Sequence, residues 1–267
     1  MSDDEYLFDN RAEQARDRFD SLAAMFDPIS TARLARVGVA AGWRCLDIGA
    51  GGGSVARWLA DRVGPTGTVV ATDLDVRWIE DHLQAPNIEV RRHDVLVDPL
   101  EQDAFDLIHE RLVLVHLAAR EAVLDKLIGA LKPGGWLVVE DFDTAHAIRT
   151  LDPETDDEAL GTRLMDGIRT LLGRRGADPD LGHKLHRMLR SHGLVELGGD
   201  AYQALDLGRT TRRLRRANLV QVADDLQSTE LATRAEIDEY LGLLLERDDL
   251  PAPSPTLVGA WGRRPPG

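Results

Sequence analysis

One cysteine, Cys45, stands in 267 residues, so an intrachain disulfide is excluded. It lies inside an apolar run, Cys45-Leu46-Asp47-Ile48, which marks it as a core residue rather than a reactive thiol. Lysine occurs only at 126, 132 and 184, and the formal net charge is −14 with a pI near 5.0. That balance argues against general binding to nucleic acid or to an anionic membrane. Aromatic residues make up 5 %, and none interleaves the basic cluster Arg209, Arg212, Arg213, Arg215 and Arg216. The cluster therefore reads as the solvated face of a helix rather than a base-stacking surface. No apolar run approaches the roughly 20 residues needed to span a bilayer. The opening Ser2-Asp3-Asp4-Glu5 lacks the positive region of a signal peptide, so a soluble, cytoplasmic protein is expected. His183 and His186 stand at i, i+3 with no third ligand patterned with them, and no metal site is expected.

Glycine, by contrast, is concentrated in one place. Gly49, Gly51, Gly52 and Gly53 follow the apolar run, and Val55, Trp58, Leu59 and Val63 resume at helical spacing: strand, glycine turn, helix. Glycines let the backbone turn sharply and leave no Cβ to obstruct a ligand, while the N–H groups opening the next helix point above the strand. Such a turn suits a nucleotide-like group. Asp47 separates the cofactor classes. A carboxylate just before the first glycine repels the pyrophosphate of a dinucleotide, whereas S-adenosylmethionine (SAM) has no phosphate and carries a sulfonium and an ammonium. The pattern G-x-G-x-x-G also ends in Ser54.

Residues 1–40 read as helical. Phe19, Leu22, Ala23 and Phe26 form one stripe, Pro28 interrupts, and 29–37 form a second short helix. This segment is a cap or a lid, with Tyr6, Phe8, Phe19 and Phe26 near the substrate in the second case. Residues 68–72 form a second strand ending at Asp73, about 20 residues after the glycine turn, where a carboxylate accepts bonds from both ribose hydroxyls. A third strand, 88–93, leads to Asp94 and Val95; a fourth, Phe105-Asp106-Leu107-Ile108-His109, precedes an amphipathic helix; Lys132-Pro133-Gly134-Gly135 turns into a fifth, 136–139. Strands alternating with helices indicate a doubly wound α/β sheet whose ligands lie beyond the strands' C-terminal ends. Asp47, Asp73, Asp94, His109 and the acids 140, 141 and 143 all fall at that edge. Beyond an acidic connection near Asp152, helical spacing returns at 160–172 and 181–189, followed by a strand at 195–207, two polar helices and a last strand after Pro251, Pro253 and Pro255.

These motifs together, Leu46-Asp47-Ile48-Gly49-Ala50-Gly51-Gly52-Gly53, Asp73, Asp94, Phe105 to His109 and Leu131-Lys132-Pro133-Gly134-Gly135-Trp136-Leu137, make residues 30–265 resemble the class I SAM-dependent methyltransferases, in the small-molecule branch of natural-product pathways. The resemblance implies a Rossmann-like seven-stranded sheet with its last strand antiparallel, an N-terminal helical lid over residues 1–40, and a SAM-binding domain over 41–267 with a helical insertion at about 145–192. It implies SAM as cofactor and S-adenosylhomocysteine (SAH) as product, with Asp47, Gly49, Ala50 and Gly51 at the methionine end. Asp73 and Leu74 then hold the ribose, Asp94 and Val95 the adenine, and His109 lines the pocket. The expected partners are a small-molecule acceptor and a second copy of the chain.

Methyl transfer from a sulfonium needs alignment in a dry pocket, and a base only where the acceptor is protonated. His109 is the candidate base or positioning group. Asp141 and Asp143 share a face of the extended segment and are candidates to hold an amine or deprotonate a hydroxyl, with Glu140 on the other face and His146 beyond. His116 reads as a packed histidine. Three readings stand beside methyl transfer to oxygen or nitrogen: a cyclisation or rearrangement in the same pocket, a nicotinamide dehydrogenase, and a noncatalytic SAM-binding protein.

Overall fold

The structure, a computed structural model, describes residues 7–8, 14–80, 83, 85–145, 155–204, 208–250 and 252–267. Tyr6, His146, Asp152 and Pro251 lie outside them. The strands β1 (Arg44–Ile48), β2 (Thr68–Asp73), β3 (Ile88–Arg92), β4 (Phe105–Arg111), β5 (Leu131–Asp143), β6 (Val195–Tyr202) and β7 (Thr256–Arg263) form one sheet in the order β3-β2-β1-β4-β5-β7-β6. β1 to β5 pair in parallel, and β7 runs antiparallel to both neighbours. Strand order reverses between β1 and β4, which opens the ligand crevice beyond their C-terminal ends.

Both faces of the sheet are covered, which is why its central strands are continuous apolar runs. Leu107 and Ile108 point to opposite faces. Leu107 joins Leu34 of α1 (Gln14–Val37), Leu59 of α2 (Ser54–Val63) and Ile79 of α3 (Arg77–Glu80). Ile108 joins Leu124 and Leu127 of α4 (Arg120–Ala130) and Leu185 and Leu189 of α6 (Leu185–Ser191). A third apolar core lies off the sheet, where Leu160 and Leu164 of α5 (Asp156–Arg174), Leu219 and Leu226 of α7 (Arg209–Ser228) and Ile237 and Tyr240 of α8 (Arg234–Glu246) pack together. Burial of Cys45 and the charge of Asp106 push its thiol up to about 12, consistent with an inert core residue.

Three local expectations change. Pro28 does not divide the N-terminal segment: α1 runs through it as one helix. Ala24 and Pro28 are both exposed, so the carbonyl left without an N–H faces water, while Met25 and Phe26 on one side and Ser30, Arg33 and Leu34 on the other are buried and anchor both halves. The stretch 132–135 is not a turn ahead of β5 but its irregular start, with register shifting between the pairs Phe105↔Leu131 and Leu107↔Trp136. A Cβ at Gly135 would stand 2.9 Å from the Phe105 carbonyl oxygen, so the close approach needs glycine there. The arginine cluster of α7 is a solvated face only in part: Arg209 and Arg213 are exposed, but the others are not. Arg212 is buried on Asp248, Arg213 pairs with Asp17 of α1, and Arg215 reaches the Tyr240 hydroxyl, because α7 is wedged between α1 and α8.

Because Pro28 sits at an exposed interior position of an otherwise anchored helix, Pro28→Ala restores an N–H and removes the ring. It is expected to stabilise the protein by about 1–2 kcal/mol, the helix gain less the entropy returned to the unfolded chain. Urea unfolding of the two proteins measures this; a loss of stability would mean that the helix needs the proline's geometry.

Candidate cofactor and acceptor site

The glycine turn closes tightly over the end of β1. Gly49, Gly51 and Gly53 all have positive φ, and a Cβ on Gly49 would stand 2.3 Å from Val113 Cγ2. A side chain there would displace the loop after β4 that walls the site. The Gly51 amide donates to Asp73 Oδ2 at 2.9 Å and the Asp75 amide to Oδ1 at 3.1 Å. Burial raises the Asp73 carboxyl, and these two amides only partly offset it.

Beside the turn runs a buried line of alternating charge. Parallel pairing sets Asp47 of β1 beside His109 of β4, and His109 beside Val138 of β5, so Glu140 follows two residues later on the same face. His109 Nδ1 donates to Asp47 Oδ1 at 2.7 Å, and Nε2 lies 3.6 Å from Glu140 Oε2. Glu140 in turn accepts from Ser30 and, at 3.1 Å, from Arg33 Nη1 of α1; Arg33 Nε donates to Asp200 Oδ1 at 2.7 Å. Asp47, His109, Glu140 and Arg33 are each 2 % exposed or less. Burial alone would lower the imidazole's pKa, but its bond to Asp47 and the Glu140 carboxylate 3.6 Å from Nε2 raise it to about 9, so His109 is an imidazolium at neutral pH. Burial disfavours the charged Glu140, yet His109, Arg33 and Arg111 pull it down to about 2. Asp47 Oδ2, at the open end of the line, is buried with no partner among the described residues.

Asp141 and Asp143 share a face, as their spacing requires, but it is the face turned away from the cavity. A Cβ on Gly182 would meet the Asp141 carbonyl and Asp143 Cβ, whereas Phe142 and Thr144 line the cavity. Asp141 Oδ1 accepts from the Val115 amide at 3.2 Å and Glu110 Oε2 from the Val113 amide at 3.0 Å. Burial raises both carboxyls, and the charge of Glu110 raises Asp141 further. Their observed contacts are with the loop through Leu112, which has φ 61, Val113 and Val115.

The cavity so bounded measures about 460 Å³. Its sheet side is lined by Asp47, Gly49, Ala50, Gly51, Asp73 and Leu74, with Asp94, Val95 and His109 completing every cofactor-binding residue expected from the sequence. Its other side comes from Arg18 and Leu22 of α1, Met165 of α5, Arg215 of α7 and Tyr240 of α8. His116 is also on the wall; burial and the nearby Arg18 push it down to about 3, so it is neutral. Sequence reasoning did not find Glu140's partnership with His109, or Arg33: strand register joins the first pair and a long-range helix contact supplies the second, and neither leaves a local motif.

A methyltransferase-domain profile matches residues 7–197. Methyltransferase str2 of Strobilurus tenacellus is 39 % identical over 149 residues, covering 55 % of this chain and 52 % of that protein. The chain spans about half the length of the first curated relatives it matches. Two solved structures share the fold: phosphoethanolamine N-methyltransferase 2 of Haemonchus contortus in complex with S-adenosyl-L-methionine (15 % identity, TM-score 0.57, 95 % of this chain and 57 % of that one) and the [4+2]-cyclase SpnF (18 % identity, TM-score 0.51, 97 % and 86 %).

The His109 imidazolium fixes a pH dependence. Its folded pKa is about 9 against an ordinary 6.5, so its contribution to stability is complete below pH 6.5 and is lost as pH rises through about 9. Glu140→Gln should lower that pKa, flatten the decline and cost about 3 kcal/mol by removing the buried carboxylate that His109 and Arg33 share, which leaves Arg33 with Asp200. Denaturation midpoints across this pH range test both; a variant as stable as the wild type would contradict the charge line.

Proposed function

The chain belongs to the methyltransferase family, and from that premise we propose that it transfers the methyl group of SAM to an oxygen or nitrogen of a small molecule, in natural-product biosynthesis, releasing SAH. The single observation that carries the reading is Asp47 Oδ2, a buried carboxylate oxygen beside a glycine turn with no hydrogen-bond partner among the described residues. It suits an ammonium donor and disfavours a pyrophosphate. On this reading Asp47 receives the ammonium of SAM, with Gly49, Ala50 and Gly51 around the methionine end. Asp73 and Leu74 receive the ribose, and Asp94 and Val95 the adenine. When bound, SAM supplies an electrophilic methyl on a sulfonium.

The residues of this chain then align and desolvate. His109 is already protonated, so it orients Asp47 and takes no proton from the acceptor. His116 is neutral, and at about 3 it is too weak a base to carry a proton away at neutral pH. The acceptor therefore ionises by itself or passes its proton to water. Apolar walls from Leu22, Leu112, Phe142, Met165 and Leu214 exclude water and suit a small, largely apolar acceptor. A non-methylating cyclisation in the same pocket is the second reading, favoured by the likeness in fold to a [4+2]-cyclase.

Calorimetric titration with SAM, SAH and NADH is expected to show binding of the first two and none of the third. Asp73→Ala should weaken SAM by about 1–3 kcal/mol, the range for stranding buried hydrogen-bond partners. NADH binding alone would overturn the reading. SAM binding with no methyl transfer to any acceptor in a broad screen would select the cyclisation.

A further inference from the structure

Four arginines line the cavity; two pair with a carboxylate and a third packs on two aromatic rings. Arg111 Nη1 pairs with Asp27 at 2.9 Å, and Arg169 Nη2 with Asp180 at 2.6 Å. Arg18 stacks on the rings of Phe8 and Phe19, at 5.0 and 5.3 Å from their centroids. Arg215 differs. Its Nη1 donates to the Tyr240 hydroxyl at 3.0 Å and its Nη2 to the Pro253 carbonyl at 3.2 Å; both acceptors are neutral, and among the described residues no carboxylate faces it.

The placement is built by secondary structure. Thr211, Leu214, Arg215 and Asn218 fall at i, i+3, i+4 and i+7 of α7, one helical face, and all four line the cavity. Tyr240 of α8, 1 % exposed, holds the guanidinium from beside, and Leu214 and Phe142 supply apolar wall. The acids on the same wall, Glu158 and Asp166, stand on α5 and have interactions of their own. A half-buried guanidinium with only neutral partners is stabilised most by an anion, and its planar donors favour a carboxylate.

We propose that Arg215 is the anion anchor of the acceptor end of the cavity, and that the acceptor is a small apolar molecule bearing an oxyanion of the carboxylate class. The assignment rests on the methyltransferase reading for calling this ligand the acceptor.

The test uses the full chain with and without saturating SAH and three probes sharing one apolar body: 3-phenylpropionate, 3-phenylpropanol and 3-phenylpropylamine. In the wild type the carboxylate should bind at least tenfold more tightly than the other two. Arg215→Met should erase that preference while leaving SAH affinity unchanged, and Arg215→Lys should retain part of it. The SAH titration reports that each variant is folded, and the lysine variant keeps the test alive where methionine is not tolerated. A wild type that prefers the alcohol or the amine, or a carboxylate preference that survives Arg215→Met, overturns the anion anchor. Failure of the wild type to bind SAH overturns the methyltransferase reading instead, and the ranking without SAH still decides Arg215.

Discussion

The site depends on an alternation of buried charge, Asp47, His109, Glu140 and Arg33, that crosses three parallel strands and ends in the N-terminal helix. Each ion has an opposite neighbour, which is the condition under which full charges persist out of water. The line ends on Asp47, whose second oxygen has no hydrogen-bond partner among the described residues. A cation at that oxygen would complete the alternation. An anion would break it, so the same arrangement that holds the sheet's edge together also selects the ligand.

The line ties the helical cap to the cofactor half of the cavity. Arg33 and Ser30 of α1 both reach Glu140, and Arg111 of β4 reaches back to Asp27 of α1. The cap is thus joined to the sheet by polar contacts at the ligand edge and by Met25, Phe26 and Leu34 elsewhere. The opposite wall is a different kind of structure. α5, α7 and α8 share a core separate from the sheet and turn toward the cavity the side chains that differ in charge and shape. One half of the molecule is specified by strand register, the other by helical faces, and they meet at the cavity.

The sheet was legible because its signals are local: apolar runs of strand length, a glycine turn after the first, and an acid at or just past the C-terminal end of each of the first three strands. Asp47, Asp73, Asp94 and His109 accordingly line the cavity together. What stayed hidden was set by distance in sequence. Asp141 and Asp143 share a face as period two demands, yet which face meets the ligand depends on where α6 and the 3-10 turn at Gly182–Lys184 pack. Pro28 reads as a break because the rule for proline is local, while burial on both sides of it is tertiary. The arginines of α7 look like a solvated face because nothing nearby in the chain announces α1 and α8 on either side.

The claim on which the rest stands is that His109 is a buried imidazolium holding Asp47 in place. Nitrogen-15 NMR of histidine-labelled protein near neutral pH measures this directly. The account predicts both ring nitrogens of His109 protonated, with the Nδ1 proton strongly deshielded by Asp47. A neutral ring with one unprotonated nitrogen would contradict it: His109 would then be free to act as a base, and the charge line would not be what orders the site.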